Sequence, residues 1–228
     1  MLSAWETRVN GGLSASPDAS ATGLGETTGM QVGDGPTVEL KLDGLWEQVF
    51  LIAPLVLVAT REGDGWDVAP KHMAGPLGWD PYYAFVCSPR HATYRNAVAH
   101  GAFTVSFPPP ELLVATGLAA GGRDEEGRKP SLAALPTVAA RSVDGVVVAG
   151  CPLQLECELD RTVDGFGENS LVVGRVVAAH AYEDALRGPD VDDADLVNDL
   201  GLLAYLQPGR LAVVRDSVAF PYPSDFRL

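Results

Sequence analysis

The chain has few basic residues, few cysteines and no long hydrophobic run, and each shortage excludes a class of protein. Its 16 Lys and Arg against 30 Asp and Glu give a formal net charge of −14, which excludes a broad electrostatic surface for nucleic acid or an anionic membrane. No apolar run reaches the ~18 residues that span a bilayer, and the first residues lack a secretory pattern. We therefore expect a cytoplasmic protein with no nucleic-acid or membrane partner.

The three cysteines, Cys87, Cys151 and Cys157, lie in apolar, strand-like contexts without a Cys-x-x-Cys pair or a His at metal-ligand spacing. A metal site is the alternative to buried thiols of a reducing compartment. The contexts favour buried thiols, and we expect no bound metal.

Acidic residues are missing from the stretch 81–110, although the composition of the chain would place about four there. The same stretch carries Arg90, His91 and Arg95, and residues 88–96 have the pattern of a strand that turns into a helix. A helix N-terminus offers unpaired N–H groups and the positive end of the helix dipole, which suit a phosphate. The stretch therefore predicts a site for a phosphorylated small molecule.

The organisation of the chain indicates a tail followed by a mainly β domain with α additions. Residues 1–37 are rich in small and polar residues without periodicity, which predicts a flexible N-terminal arm, or one ordered against a partner subunit. Residues 38–228 read as mostly short strands with two short helices, which indicates a β-barrel. We predict strands at 54–60, 66–72, 82–87, 103–107, 153–159 and 170–182, helices at 91–101 and 110–114, a loop at 121–130, and hairpin turns at 62–65 and 164–167.

Two of these strands carry further expectations. In 153–159, Leu and Cys alternate with Gln154, Glu156 and Glu158, which indicates a half-exposed strand. The strand 170–182 is apolar on both faces, as expected where it meets a helix or a second subunit.

The segment 67–77 adds a second binding feature. Pro70 removes a backbone donor, and Gly75-Pro76 are expected to end the strand early. Unpaired backbone groups at such a strand can hydrogen-bond the edge of a planar ring. A ring site beside a phosphate site fits flavin mononucleotide, FMN.

The motifs in order resemble the flavin reductase-like family with the FMN-binding split barrel, over about Leu51 to Val214. The resemblance rests on Val68-Ala69-Pro70, Asp80-Pro81, Thr93-x-x-Asn96, Gly101-x-Phe103-x-Val105, Cys151-Pro152-Leu153-x-Leu155-Glu156-Cys157, Val173-Gly174-Arg175-Val176-Val177 and Leu203-Ala204-Tyr205-Leu206. It implies a split β-barrel and a homodimer that binds FMN, or FAD. It also implies hydride transfer from NADH or NADPH to the flavin, often to supply a separate monooxygenase. A flavoprotein acting on another organic substrate, and a flavin-binding protein without turnover, are the rival interpretations.

The resemblance also assigns site residues. Val68, Ala69 and Pro70 would lie along the ring and ribityl chain, Thr93 would hold the phosphate, and Asn96 would brace that turn. The full candidate set is Val68, Ala69, Pro70, Lys71, His72, Met73, Ser88, Arg90, His91, Ala92, Thr93 and Asn96. No catalytic residue is assigned, because hydride transfer to a flavin depends on orientation more than on acid or base groups.

Two departures from the family pattern bear on the site. His91-Ala92-Thr93 stands where Lys-Asp-Thr is common, so the phosphate charge would be met by Arg90 or His91. Lys71-His72-Met73 stands where a small polar residue often follows Ala-Pro. Lys71 is either a solvated edge-strand charge or a cation beside the flavin, and His72 either packs in the protein or touches the ligand.

Overall fold

The computed structural model describes residues 38–220, which form twelve strands and three α-helices. The strands are β1 (Leu51–Pro54), β2 (Val56–Glu62), β3 (Gly65–Lys71), β4 (Ala74–Pro76), β5 (Tyr82–Cys87), β6 (Ala102–Phe107), β7 (Thr137–Ala139), β8 (Val146–Val148), β9 (Leu153–Phe166), β10 (Asn169–Ala181), β11 (Leu202–Gln207) and β12 (Arg210–Val214). The helices are α1 (Ala92–His100), α2 (Leu113–Leu118) and α3 (Asp193–Leu200). Short 3₁₀ turns cover Leu45–Glu47, Pro110–Leu112, Pro130–Ala134 and Glu183–Ala185.

The main sheet is antiparallel, with the strand order β3-β2-β6-β9-β10-β5-β4. Strands β3 and β4 follow each other in the chain but form the two outer edges of the sheet. The sheet therefore stays open between them, which is the arrangement of a split barrel. Strands β1, β11 and β12 form a separate three-stranded sheet, and β7 pairs with β8. The predicted mainly β fold with α additions is confirmed.

Strand β2 lies at the centre of the packing because both of its faces are buried. Val56 and Val58 join a cluster with Phe85 and Phe103 on one side of the sheet. Leu57 and Ala59 point to the opposite side, into a second cluster. This accounts for a continuous apolar run without period-2 alternation. Cys87, Cys151 and Cys157 are buried free thiols, as predicted.

Several elements predicted from local sequence signals have bounds within two residues of the observed ones. The prediction for 82–87 matches β5, and the predicted helix differs from α1 only by its two capping positions. Gly101 ends that helix with φ 68°, a left-handed conformation that favours glycine, and its N–H donates to the Ala97 carbonyl. The helix thus begins where strand β5 ends, at the predicted phosphate site.

Three sequence expectations are corrected. Gly75 and Pro76 do not simply end the preceding strand, because they belong to β4 and lie opposite Ala84 and Tyr83 of β5. The hairpin after β9 turns at Gly167 and Glu168, since β9 extends to Phe166. Glu156 is not on a solvated face: its side chain is 1% exposed.

Hydrogen bonds explain the burial of Glu156. Its carboxylate accepts from the backbone N–H groups of Arg141, Ser142 and Val143, and lies 3.2 Å from His180 Nε2. Burial opposes ionisation, but these hydrogen bonds lower the pKa of the Glu156 carboxyl below its ordinary value. Glu156 therefore joins β9 to the loop between β7 and β8.

The predicted arm at residues 1–37 lies outside the described residues. Within the described part, residues 40–220 belong to one compact unit. No described helix is long and apolar enough to cross a membrane.

Candidate functional site

The candidate site begins at the free edge of β3. This strand pairs with β2 along its whole length, from Gly65 opposite Glu62 to Lys71 opposite Val56. Its other edge has no partner strand among the described residues, a position that tolerates Pro70. Ala69, Pro70 and Lys71 thus line a surface cleft.

The N-terminus of α1 forms a second wall. His91 caps the helix through its backbone only, no side chain within the described residues caps the first turn, and that turn contains no acid. The positive end of the helix dipole therefore faces the cleft with no acid of its own first turn to offset it. Arg95, one turn into the helix, donates to the Arg90 carbonyl.

A glycine-rich loop after α2 forms the third wall. Residues 119–123 and Lys129 line the cleft. Gly121 allows the close turn, because a Cβ there would lie 2.9 Å from the Leu118 carbonyl oxygen. The loop carries Arg123 and Lys129 to the edge of β3.

Asp67 links the three walls. Its carboxylate, 3% exposed, lies 3.2 Å from Thr93 Oγ1, 3.2 Å from Arg123 Nη2 and 3.3 Å from Lys129 Nζ. Lys129 Nζ also donates to the Val68 carbonyl at 2.8 Å. A buried carboxylate is tolerated only with such compensation. The ion pairs hold the loop against β3, and the Thr93 hydroxyl joins α1 to the same carboxylate.

We call the space between these walls the anion cleft. Its volume is about 450 Å³. Among the described residues that line it, the cations are Lys71, Arg90, Arg95, Arg123 and Lys129, and Asp67 is the acid. In a chain with a net charge of −14, this local excess of positive charge favours an anionic ligand.

An apolar cavity of about 300 Å³ adjoins the cleft and shares Pro70 and Ala120 with it. We call it the aromatic slot. Its lining residues are Leu55, Pro70, His72, Leu113, Thr116, Gly117, Ala120, Tyr205 and Leu211.

Stacked rings form one wall of the slot. The rings of His72 and Tyr205 stack with centroids 4.3 Å apart and an interplanar angle of 29°. Burial and the charge of Lys71 lower the pKa of His72, which favours the neutral imidazole. The cleft is thus rich in cations, and the adjoining slot is mostly apolar.

The model of the flavin reductase like domain matches residues 50–203. The chain belongs to the flavin reductase-like family. A search of curated proteins finds no match.

Solved structures share the fold at low identity. A flavoredoxin from Methanosarcina acetivorans is 18% identical with a TM-score of 0.69, over 83% of this chain and 97% of that one. Component B of nitrilotriacetate monooxygenase from Bacillus cereus is 18% identical with a TM-score of 0.68, over 83% and 98%. An FMN-binding protein from Thermus thermophilus is 20% identical with a TM-score of 0.64, over 81% and 98%.

The structure brings many of the candidate residues of this family member together. Ala69, Pro70, Lys71, Arg90, His91, Ala92 and Thr93 line the anion cleft. His72 lines the aromatic slot. The hydroxyl of Thr93 is directed to Asp67, so the side chain braces the helix start.

Four candidate residues line neither cavity. Val68 is buried in the core and presents only its carbonyl, to Lys129. Met73 is half exposed, and its carbonyl accepts from Val86 N–H. Ser88 Oγ accepts from Arg90 N–H. The Asn96 amide donates to Thr60 and Glu62, which joins α1 to β2.

Sequence reasoning missed Asp67, Thr116, Arg123, Lys129 and Tyr205 as site residues. Arg123 and Lys129 stand in a segment that was interpreted only as a charged, glycine-containing loop. Their basic character was visible, but no local pattern places that loop against β3.

Proposed function

We propose that the protein binds FMN in the anion cleft and the aromatic slot and acts as an NAD(P)H-dependent flavin reductase. The observation that carries this proposal is the junction of the two cavities at Pro70 and Ala120. One cavity is cationic and the other is apolar and walled by stacked rings. FMN has a dianionic phosphate at one end and a planar ring system at the other.

In this proposal the phosphate lies at the start of α1. The helix dipole and the backbone N–H groups of the first turn meet it, and Arg90, Arg95, Arg123 and Lys129 surround it. Lys129 is the most buried of the ion-paired cations, with a side chain 9% exposed. Its charge is therefore less screened by solvent than that of exposed Arg90.

The ring system lies along the β3 edge and in the slot. Pro70 supplies an apolar contact at the unpaired edge of β3. Lys71 lines the cleft, where its charge would favour negative charge on the ring. When bound, the flavin supplies the two-electron chemistry by accepting hydride from NADH or NADPH and passing the electrons on.

Membership of the flavin reductase-like family supports NADH or NADPH as the electron donor. The structural neighbours support a partner that accepts the reduced flavin. The structural resemblance to component B of a monooxygenase supports delivery of reduced flavin to a partner oxygenase. We propose that this chain reduces the flavin and that a separate oxygenase uses the reduced flavin.

An anaerobic titration tests this function. The protein loaded with FMN is mixed with NADH or with NADPH, and the visible absorbance of the flavin is followed. We expect either NADH or NADPH to bleach the bound flavin when one equivalent is added. With free FMN in excess, we expect the protein to reduce FMN catalytically. Protein that binds FMN but is bleached by neither donor would contradict the reductase function.

A second candidate function is reduction of an organic substrate by the bound flavin. The stacked pair of His72 and Tyr205 favours it, because neutral rings at the slot suit an aromatic substrate. Substrate-dependent reoxidation of the bleached flavin without oxygen would identify this function.

A further inference from the structure

The hydroxyl of Thr116 has no hydrogen-bond partner among the described residues, although Thr116 is only 1% exposed. Buried hydroxyls in folded proteins are almost always paired, because an unpaired one loses its bonds to water without replacement. An unpaired buried hydroxyl therefore needs an explanation.

The position of Thr116 supplies one. It stands in the middle of α2 and lines the aromatic slot. Apart from His72 and Tyr205, whose rings stack on each other, Thr116 is the slot residue with a polar side chain. The hydroxyl is thus a hydrogen-bonding group beside an otherwise apolar cavity.

Two other buried hydroxyls without partners make the contrast. Tyr83 packs in the core against Phe107, and Ser131 lies beside Gly121. Neither lines the anion cleft or the aromatic slot. Of these orphaned hydroxyls in the described chain, that of Thr116 is the one whose residue lines a cavity of the candidate site.

We propose that Thr116 Oγ1 donates a hydrogen bond to an acceptor atom on the ring system of the bound flavin. This assignment rests on the proposed function, because it takes the flavin ring as the occupant of the slot. The carbonyl oxygens and ring nitrogens of a flavin are acceptors, and the slot offers few other polar partners. The bond fixes the orientation of the ring along β3.

The same bond affects the redox balance of the flavin. A donor to a ring acceptor stabilises the more electron-rich reduced ring more than the oxidised ring, since hydrogen bonds strengthen with charge on the acceptor. Loss of the hydroxyl therefore makes the midpoint potential of the bound flavin more negative.

Thr116→Val tests the proposal, because valine keeps the branched shape and removes the hydroxyl. We expect FMN and riboflavin to bind about three- to tenfold more weakly, since both carry the ring. The thermal midpoint of the flavin-free variant should equal or exceed that of the parent, because an unsatisfied group has been removed. Thr116→Ser keeps the hydroxyl and should restore affinity and potential.

Thr104→Val is the matched control. Thr104 is fully buried, and its hydroxyl donates to the Val146 carbonyl, away from both cavities. This variant should lose stability without ligand and keep the parent potential and flavin affinity once folded.

The outcomes separate this inference from the proposed function. A parent protein that binds neither flavin refutes both. A parent that binds FMN while Thr116→Val binds both flavins with unchanged affinity refutes the hydrogen bond alone. A variant that loses affinity together with stability, as a structural contact would, also refutes it.

Discussion

Asp67 shows how single residues set the chemistry of this site. Its partners Thr93, Arg123 and Lys129 are 26, 56 and 62 positions away in the sequence. No local pattern could therefore predict the network. The sequence around Asp67 does not distinguish a buried carboxylate from a solvent-exposed acid on a strand. In contrast, the acid-free stretch and the helix start were local signals, and they placed Arg90, His91 and Thr93 at one cleft.

Arg90 provides a test of the phosphate end. Its side chain is exposed and pairs with exposed Glu168 at 3.1 Å, so its contribution is smaller than that of a buried cation. We expect Arg90→Ala to weaken FMN binding roughly fivefold and to leave riboflavin binding unchanged, because riboflavin lacks the phosphate. Fluorescence-quenching titrations measure both.

Arg128→Ala is the control for Arg90→Ala. Arg128 is equally cationic but pairs with Asp124 and Glu126 and does not line the cleft. Equal losses in the two variants would show a general effect of net charge. An equal loss for riboflavin in Arg90→Ala would show a structural role.

Glu156 makes stability depend on pH in a defined direction. Its folded-state pKa is lowered, so its contribution is present above the unfolded pKa of about 4.3 and is lost as pH falls through the folded value. We expect Glu156→Gln to cost about 3 kcal/mol near neutral pH and to flatten the acid side of the stability curve. Urea unfolding of both proteins from neutral to acidic pH checks this. Parallel curves would contradict it.

At the scale of elements, local signals predicted what local interactions determine. The β2–β3 hairpin, β5, α1 and β6 are predicted from β-branched and apolar runs, turn residues and the helix start. Strands β7 and β8 have three residues each, which is too short to show an alternation of apolar and polar residues. β1, β11 and β12 form a sheet from distant segments, and their mixed burial hides the strand period. The loop after α2 is positioned by ion pairs rather than by its own sequence.

The geometry of that loop gives a further prediction. A Cβ at Gly121 would lie 2.9 Å from a backbone oxygen, whereas one at Gly122 would meet nothing within 4 Å. We expect Gly121→Ala to displace Arg123 and weaken FMN binding roughly three- to tenfold. Gly122→Ala should bind FMN like the parent. Equal affinities for all three proteins would show that the loop does not contribute to the site.

At the scale of the whole molecule, apolar surface remains on the small sheet. Ile52, Leu202 and Val214 lie on one face of this sheet and are 79%, 48% and 37% exposed. The apolar residues of β10, which suggested a second subunit, are largely covered within one chain. The surface that a partner would bury therefore lies on β1, β11 and β12 rather than on β10.

We expect a homodimer that buries this sheet. Light scattering of the purified protein at micromolar concentration should give twice the 24.0 kDa chain mass. Ile52→Glu should shift the mass toward the monomer, because the charge cannot be buried unpaired. Arg128→Glu, at an exposed cation outside this sheet, controls for added negative charge. A monomer mass for the parent protein would contradict the dimer.

In the proposed function, the anion cleft binds the phosphate of FMN and the adjoining aromatic slot binds its ring. Equilibrium titration of the flavin-free protein with FMN and with riboflavin, followed by flavin fluorescence, tests it most directly. We predict that FMN binds at least about tenfold more tightly than riboflavin, because the cationic cleft meets only the phosphate. Equal affinities, or no binding of either flavin, would contradict the binding of FMN across the anion cleft and the aromatic slot.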